Sequence, residues 1–207
     1  NSSASQIGSG GGFDIVVTKL NATGTALIGS KKIGGSGDDG VNISTSRGGI
    51  NSLQRNYGDD GRSEVILDGS GNVYVASCTQ STNFPATTGA FQTTFGGGVQ
   101  DGVLLKLTPD LGTLTFASYL GGSANDAAYV LSLAPNGNIY VADALFNAVQ
   151  IFDFNGNFLY TFGSQGQDAG QFWMPSGIYI DDKDFVYVSD TYNSRVQIFH
   201  VTTDARK

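Results

Sequence analysis

A chain of 207 residues with 40% hydrophobic and 14% charged residues is long enough to bury a substantial core and too apolar to remain disordered. Its formal net charge of −7 argues against a phosphate-binding surface, and therefore against nucleic acid as a partner. A single cysteine excludes an intrachain disulfide, and a single histidine argues against a conventional zinc centre. No apolar run approaches the roughly 18 residues of a membrane span.

The N-terminal segment, NSSASQIGSGGG, lacks the basic and apolar parts of a signal peptide. Its glycine and serine content predicts a flexible linker over residues 1–12. Residues 201–207 are expected to form a C-terminal tail.

The next elements repeat along the chain. DIVVTKL (14–20) and GGSGDDG (34–40) return 87 residues later as DGVLLKL (101–107) and GGSANDA (121–127). Three tyrosine-centred strands and two copies of VQIF form a second set of repeats: GNVYVAS (71–77), GNIYVAD (137–143), DFVYVSD (184–190), VQIF (149–152) and VQIF (196–199). One supersecondary unit is therefore copied, with loops of different length.

The clearest copy, within residues 63–120, contains four short strands joined by turns, which is an antiparallel meander. Repeated four-stranded meanders are typical of β-propeller blades. We predict an all-β β-propeller built of four-stranded antiparallel blades. Groups of 2, 4, 4 and 3 strands give about three to four blades, as an incomplete ring or part of a larger propeller. Residues 41–62 contain an insertion of about 21 residues relative to the later copy, read as a long surface loop.

Two family resemblances follow these repeats. Residues 13–134 resemble a bacterial β-propeller repeat (SBBP-type), on the elements GNVYVAS, STNFPATTGAFQTTFGGG, DGVLLKL and YLGGSAND. Residues 135–200 resemble NHL repeats, best in GQFWMPSGIYIDDKDFVYVSDTYNSRVQIF (170–199), whereas the preceding copy has Ala148 where the NHL pattern has arginine. The resemblances imply a propeller fold that serves mainly as a binding platform, with a minority of lyases and hydrolases. They also imply a secreted or surface protein, whose signal peptide is removed or lies outside this chain.

Acidic residues in the loops between blades form one candidate ligand site: Asp38, Asp39, Asp59, Asp60 and Asp126. Loops of this kind gather on one face of a propeller, and Ca²⁺ prefers several oxygen ligands. A calcium site at Asp38, Asp39 and Asp60 is one interpretation. The favoured interpretation is that glycine, asparagine and aspartate make the turns, and that no cofactor is bound.

The NHL-like residues Asp190, Asn193 and Arg195 permit a catalytic interpretation and a structural one. We favour the structural one, in which Asp190 and Asn193 cap a tight turn and Arg195 pairs with a carboxylate. DGSGN (68–72) resembles a short calcium loop but lies where a hairpin turn is required.

Aromatic residues in the loops are candidate apolar anchors for a ligand: Phe84, Phe91, Phe95 and Trp173. For Trp173, packing between blades is the favoured alternative.

The sequence favours a non-enzymatic, extracellular or cell-surface scaffold that binds protein or a surface glycan over loops 34–62, 79–99 and 121–128. One alternative is a structural subunit that completes its propeller or blade edges with another chain, forming an oligomer or filament. The other is a metal-dependent propeller lyase or hydrolase.

Overall fold

The computed structural model describes residues 5–42 and 63–201, and every regular element in these ranges is a β-strand. The strands form four sheets, here called blades I to IV. Blade I contains β1 (Ser5–Ile7), β2 (Ile15–Leu20) and β3 (Leu27–Ile33). Blade II contains β4 (Glu64–Leu67), β5 (Val73–Thr79), β6 (Asp101–Leu107) and β7 (Leu114–Leu120). Blade III contains β8 (Ala128–Leu133), β9 (Ile139–Asp143), β10 (Ala148–Phe152) and β11 (Phe158–Phe162), and blade IV contains β12 (Pro175–Ile180), β13 (Phe185–Asp190) and β14 (Arg195–His200).

Blades II, III and IV are antiparallel meanders in which each strand pairs with the next one along the chain. This arrangement confirms the predicted fold class, an all-β propeller-type architecture consistent with an incomplete ring, in which blades II and III have four strands and blades I and IV have three.

Aspartates close several of the tight turns within blades. In DGSGN, Asp68 Oδ1 accepts hydrogen bonds from the backbone N–H groups of Ser70 and Asn72, both at 2.9 Å. Gly71 has a φ of 81°, a conformation that favours glycine. Asp153 and Asp181 accept equivalent bonds in the turns of blades III and IV. The DGSGN loop is therefore a turn held by its own aspartate.

Strand alternation places two faces of each central blade in separate cores. In β5, Val73 and Val75 pack toward blade I, whereas Tyr74 packs toward blade III. The resulting core layers lie between successive blades, and each is formed by alternate residues of the facing strands. The blades therefore stack in chain order, I to IV.

Lysines tie neighbouring blades together at equivalent positions of blades I and II. Lys19 Nζ donates to the carbonyl oxygens of Gly71 at 3.2 Å and Pro109 at 2.7 Å. Lys106, 87 residues later, donates to the carbonyl of Phe154 in blade III at 3.0 Å. The repeat therefore copies its contacts between blades as well as its strands.

Blade I differs from the prediction. Ser5–Ile7, inside the segment expected to be a flexible linker, forms β1 and pairs in parallel with β3. Blade I therefore has three strands where the sequence predicted two, and β1 does not follow the meander order. Backbone bonds from Gly10 to Gly34 and from Gly12 to Gly37 fix the rest of this segment.

One other predicted boundary lies within a blade. The division at residues 134 and 135 lies inside blade III, between β8 and β9, so it separates two repeat patterns rather than two blades. Most of the insertion at 41–62, and the tail from residue 202, lie outside the described residues. In the described ranges, no helix is long and apolar enough to cross a membrane.

Candidate functional site

The recurring acidic loops hold a buried aspartate at the same position in each copy. Asp39 Oδ2 accepts hydrogen bonds from Gly35 N at 2.8 Å and Ser81 Oγ at 2.9 Å. Asp126, its counterpart, accepts from Gly122 N at 2.7 Å. Each carboxylate therefore accepts a hydrogen bond from the backbone of its own loop, as expected of a residue that forms a turn.

Asp38 also bonds to backbone, because its Oδ1 accepts from Phe13 N at 3.0 Å. The described residues contain no group of three or more His, Cys, Asp or Glu side chains that would hold a metal ion. Asp59 and Asp60 lie outside the described ranges, so the calcium interpretation that includes Asp60 stays a prediction.

A second aspartate lies behind each of these loops. Burial raises the pKa of Asp101 to about 6, against the hydrogen bond from Gly96 N, and Asp126 adds a like charge. Gly121 lies so close that an added Cβ would be 2.5 Å from Asp101 Oδ1. In the first copy, the buried Asp14 instead forms an ion pair with Lys32 at 2.6 Å.

Blade IV contains a network around Asp190 that we call the clamp, formed by Asp190, Asn193 and Arg195. Arg195 Nε donates to Asp190 Oδ2 at 2.7 Å, and Asn193 Nδ2 donates to both carboxylate oxygens. Trp173 N donates to Asp190 Oδ1 at 2.7 Å. The remaining guanidinium nitrogens donate to three carbonyls of the loop leading into blade IV, those of Gln167, Asp168 and Gln171.

Burial alone would raise the pKa of Asp190, but the bonds from Trp173, Asn193 and Arg195 outweigh it and hold the pKa below its usual value. The side chain of Asp190 is fully buried. The clamp therefore fastens the loop to its blade, and Arg195 pairs with a carboxylate as the structural interpretation expected.

Blade III lacks this clamp. Its three positions have counterparts 47 residues earlier, namely Asp143 for Asp190, Phe146 for Asn193 and Ala148 for Arg195. Ala148 pairs with Asp143 across β9 and β10 in the register in which Arg195 pairs with Asp190. The carboxylate therefore remains, but the guanidinium and the amide that would bind it are missing.

Asp143 is 1% exposed and accepts hydrogen bonds from Phe146 N at 2.9 Å and Gln150 Nε2 at 3.3 Å. Burial, with a smaller contribution from the charge of Asp126, raises its pKa to about 7 against these bonds. The described ion pairs join Lys32 to Asp14 and Arg195 to Asp190, so neither involves Asp143.

A cavity of about 230 Å³ opens beside Asp143, between blades II and III. Its polar lining comes from Asp143, Gln150, Gln92, Thr161 and the backbone of Gly121 and Gly122. Its apolar walls are Phe91, Phe146 and Phe158. Phe91 and Phe158 stack with ring centroids 4.8 Å apart, and Phe146 is 57% exposed. We call this feature the blade III cavity.

The predicted aromatic anchors separate into different environments. Phe84 is 4% exposed and packs edge-on against Tyr119, so it is a core residue rather than an exposed anchor. Phe95 is half-buried against the same tyrosine. Phe91 alone of the three lines the cavity. Trp173 is 39% exposed and contacts Tyr192.

The interior position between blades belongs instead to Phe172, which is fully buried. Of the remaining reactive side chains, Cys78 is buried, and burial raises its pKa to about 12. His200 stacks on Phe185 with ring centroids 4.5 Å apart.

Sequence reasoning missed most of the blade III cavity. The acidic loops contribute only Gly121 and Gly122, and the aromatic predictions contribute only Phe91. The sequence did contain a signal for it, in the alignment of DALFNAVQ (143–150) with DTYNSRVQ (190–197). The aspartate and the glutamine are the same in both segments, but the clamp residues Asn193 and Arg195 are replaced by phenylalanine and alanine.

Comparisons with known proteins identify one of the predicted repeats, the NHL repeat of the last blade. A protein-family profile described as NHL repeat matches residues 172–199. Among solved structures, virginiamycin B lyase from Staphylococcus aureus is 11% identical over 66% of this chain and 40% of that chain, with a TM-score of 0.41. A protein of unknown function from Bacteroides caccae is 13% identical over 67% of this chain and 46% of that one, with a TM-score of 0.39. The chain thus spans less than half the length of these two proteins, and it carries an NHL repeat in blade IV.

Proposed function

We propose that this chain is a non-catalytic β-propeller-type module that binds a protein partner, with the blade III cavity as the central contact. The observation that carries the proposal is the cavity itself, in which exposed phenylalanine rings surround a buried carboxylate. Aromatic anchors in or around a desolvated pocket contribute most of the energy of protein interfaces. NHL-repeat propellers also commonly bind proteins.

The polar residues support this role because Asp190 and Arg195, the residues with a catalytic interpretation in the sequence, are engaged in structural contacts. Asp190 and Arg195 hold the loop leading into blade IV. Asp39 and Asp126 hold their turns. A metal-dependent lyase or hydrolase would need such carboxylates to face a substrate instead.

We propose an extracellular or cell-surface location, because the repeats in the first half of the chain resemble those of bacterial surface proteins. A surface glycan is the alternative partner there, because aromatic rings beside glutamine and aspartate also suit a sugar.

A second candidate function is assembly with other chains. β2 pairs with β3, whereas its counterpart β6 has strands on both sides, so one edge of β2 is open in the described part of the chain. The outer face of blade IV exposes Tyr179, Val196 and Ile198, and that of blade I exposes Val16 and Leu20, each by at least half. Open edges and apolar faces of this kind can receive a strand or a blade. Light scattering tests this candidate, because a monomer at high concentration would contradict it.

Selection of displayed random peptides tests the primary proposal. The wild-type protein is expected to enrich peptides that lose binding to Phe146→Ala. The matched control is Tyr160→Ala, which removes an aromatic ring that is 61% exposed on blade III and does not line the cavity. Enrichment of no peptide, or equal loss in both variants, would contradict a protein-binding role for the cavity.

A further inference from the structure

The two C-terminal blades offer an internal comparison for the blade III cavity. In blade IV, a guanidinium lies over Asp190, with Gln197 Nε2 also donating to that carboxylate at 3.2 Å. In blade III, Gln150 makes the equivalent bond to Asp143, but the cross-strand residue is Ala148. With alanine in place of arginine, blade III has the carboxylate acceptor, Asp143, but no guanidinium to donate to it.

The side-chain directions match as well. Ile139 and Val141 precede Asp143 on the face of β9 that packs on blade II, and Val186 and Val188 precede Asp190 on the face of β13 that packs on blade III. Asp143 therefore points into the same kind of space that Arg195 fills in blade IV. In blade III, that space is the cavity.

We propose, building on the protein-binding role above, that the blade III cavity receives an arginine side chain of the partner, whose guanidinium takes the place that Arg195 holds in the neighbouring blade. The planar guanidinium group donates hydrogen bonds to Asp143. The side-chain amide oxygens of Gln150 and Gln92 accept its remaining hydrogen bonds. Phe91, Phe146 and Phe158 contact the aliphatic stem and the face of the guanidinium.

The charges around the cavity favour such a ligand. Asp143 and Asp126 raise each other's energy when both are ionised, and Asp101 is a third buried carboxylate near the same loop. A bound cation relieves this repulsion and stabilises the ionised form of Asp143. A carboxylate or phosphate ligand would add to the repulsion.

Titration with N-acetyl-arginine amide, followed by NMR of the Gln92 and Gln150 side-chain amides, tests the proposal. The dissociation constant is expected to be about 0.1–1 mM for a ligand of this size. N-acetyl-citrulline amide has the same shape without the charge, and its binding should be at least about tenfold weaker. Equal binding of the two ligands, or no binding of either, would overturn the proposal.

Two variants locate the binding. Phe146→Asn/Ala148→Arg restores the clamp within the chain and should abolish binding of the arginine ligand, because its own guanidinium occupies the cavity. Asp143→Asn should weaken binding at least about tenfold. Unchanged affinity in a folded variant of either kind would overturn the assignment, and if the double variant does not fold, Asp143→Asn and the citrulline contrast still decide it.

The outcome separates this inference from the function on which it rests. If selected peptides bind in a Phe146-dependent way but lack arginine, the guanidinium assignment is wrong and the protein-binding role stands. If no peptide is selected although the arginine ligand binds, the cavity recognises guanidinium and the protein-binding role fails.

Discussion

Replacing Arg195 with methionine removes the side chain that joins the buried Asp190 to the loop leading into blade IV. The change removes one bond to the buried Asp190 and three bonds to the loop leading into the blade. A hydrogen bond to a charged group contributes about 1.5–3 kcal/mol, but the side chain of Arg195 is 31% exposed, and Asp190 keeps its bonds from Trp173 and Asn193. We therefore expect the free energy of unfolding to fall by about 2–4 kcal/mol.

Urea unfolding followed by tryptophan fluorescence measures this change. Trp173 is the only tryptophan, and its backbone donates to Asp190, so the probe lies at the clamp. Arg195→Lys serves as the control because it keeps the charge but loses the planar fork, and it should recover less than half of the loss. A loss below about 0.5 kcal/mol, the size typical of exposed positions, would refute the clamp as the fastening of this loop.

Three further perturbations address other parts of the chain. Gly121→Ala should lower the free energy of unfolding by about 1–3 kcal/mol, because its Cβ would lie 2.5 Å from Asp101 Oδ1. The control is Gly69→Ala, whose Cβ meets no atom within 4 Å and which should leave the stability unchanged. Equal effects of the two variants in urea unfolding would contradict this prediction. Lys106→Met should cost about 1–2 kcal/mol in the same assay because it removes a bond between blades, and no loss would contradict that contact. Asp143 keeps its proton to about pH 7 in the folded state but releases it near pH 4 when unfolded, so wild-type stability should fall between these pH values relative to Asp143→Asn. The variant should be the more stable at pH 8 by at least about 1 kcal/mol, and parallel pH profiles would show that Asp143 is ionised in the folded protein.

Periodicity and repetition were sufficient to predict the blades. Alternation in segments such as GNVYVAS predicts strands with two buried faces, and recurrence at fixed offsets predicts that the same meander is built again. Structural roles for Asp39 and Asp190 followed because glycine-rich turns and paired charges have few local solutions.

Contacts between distant segments were not predictable in the same way. β1 forms because Ser5–Ile7 finds the free edge of β3, although nothing in its glycine-rich surroundings indicates a strand. Phe84 and Phe91 lie in one loop and look alike in the sequence, yet one packs in the core and the other lines the cavity. The blade III cavity depends on Ala148 being small, and an alanine in a strand carries no signal until its neighbour across the sheet is known.

Restoring the clamp in blade III is the most direct test that the cavity occupies the place of an arginine side chain. The variant Phe146→Asn/Ala148→Arg should raise the free energy of unfolding by about 1–2 kcal/mol at pH 8, because the new guanidinium pairs with the buried Asp143. The same pairing should lower the pKa of Asp143 and remove its contribution to the pH profile. A loss of stability in urea unfolding at pH 8, with the pH profile of Asp143 unchanged, would show that the cavity does not accommodate a guanidinium.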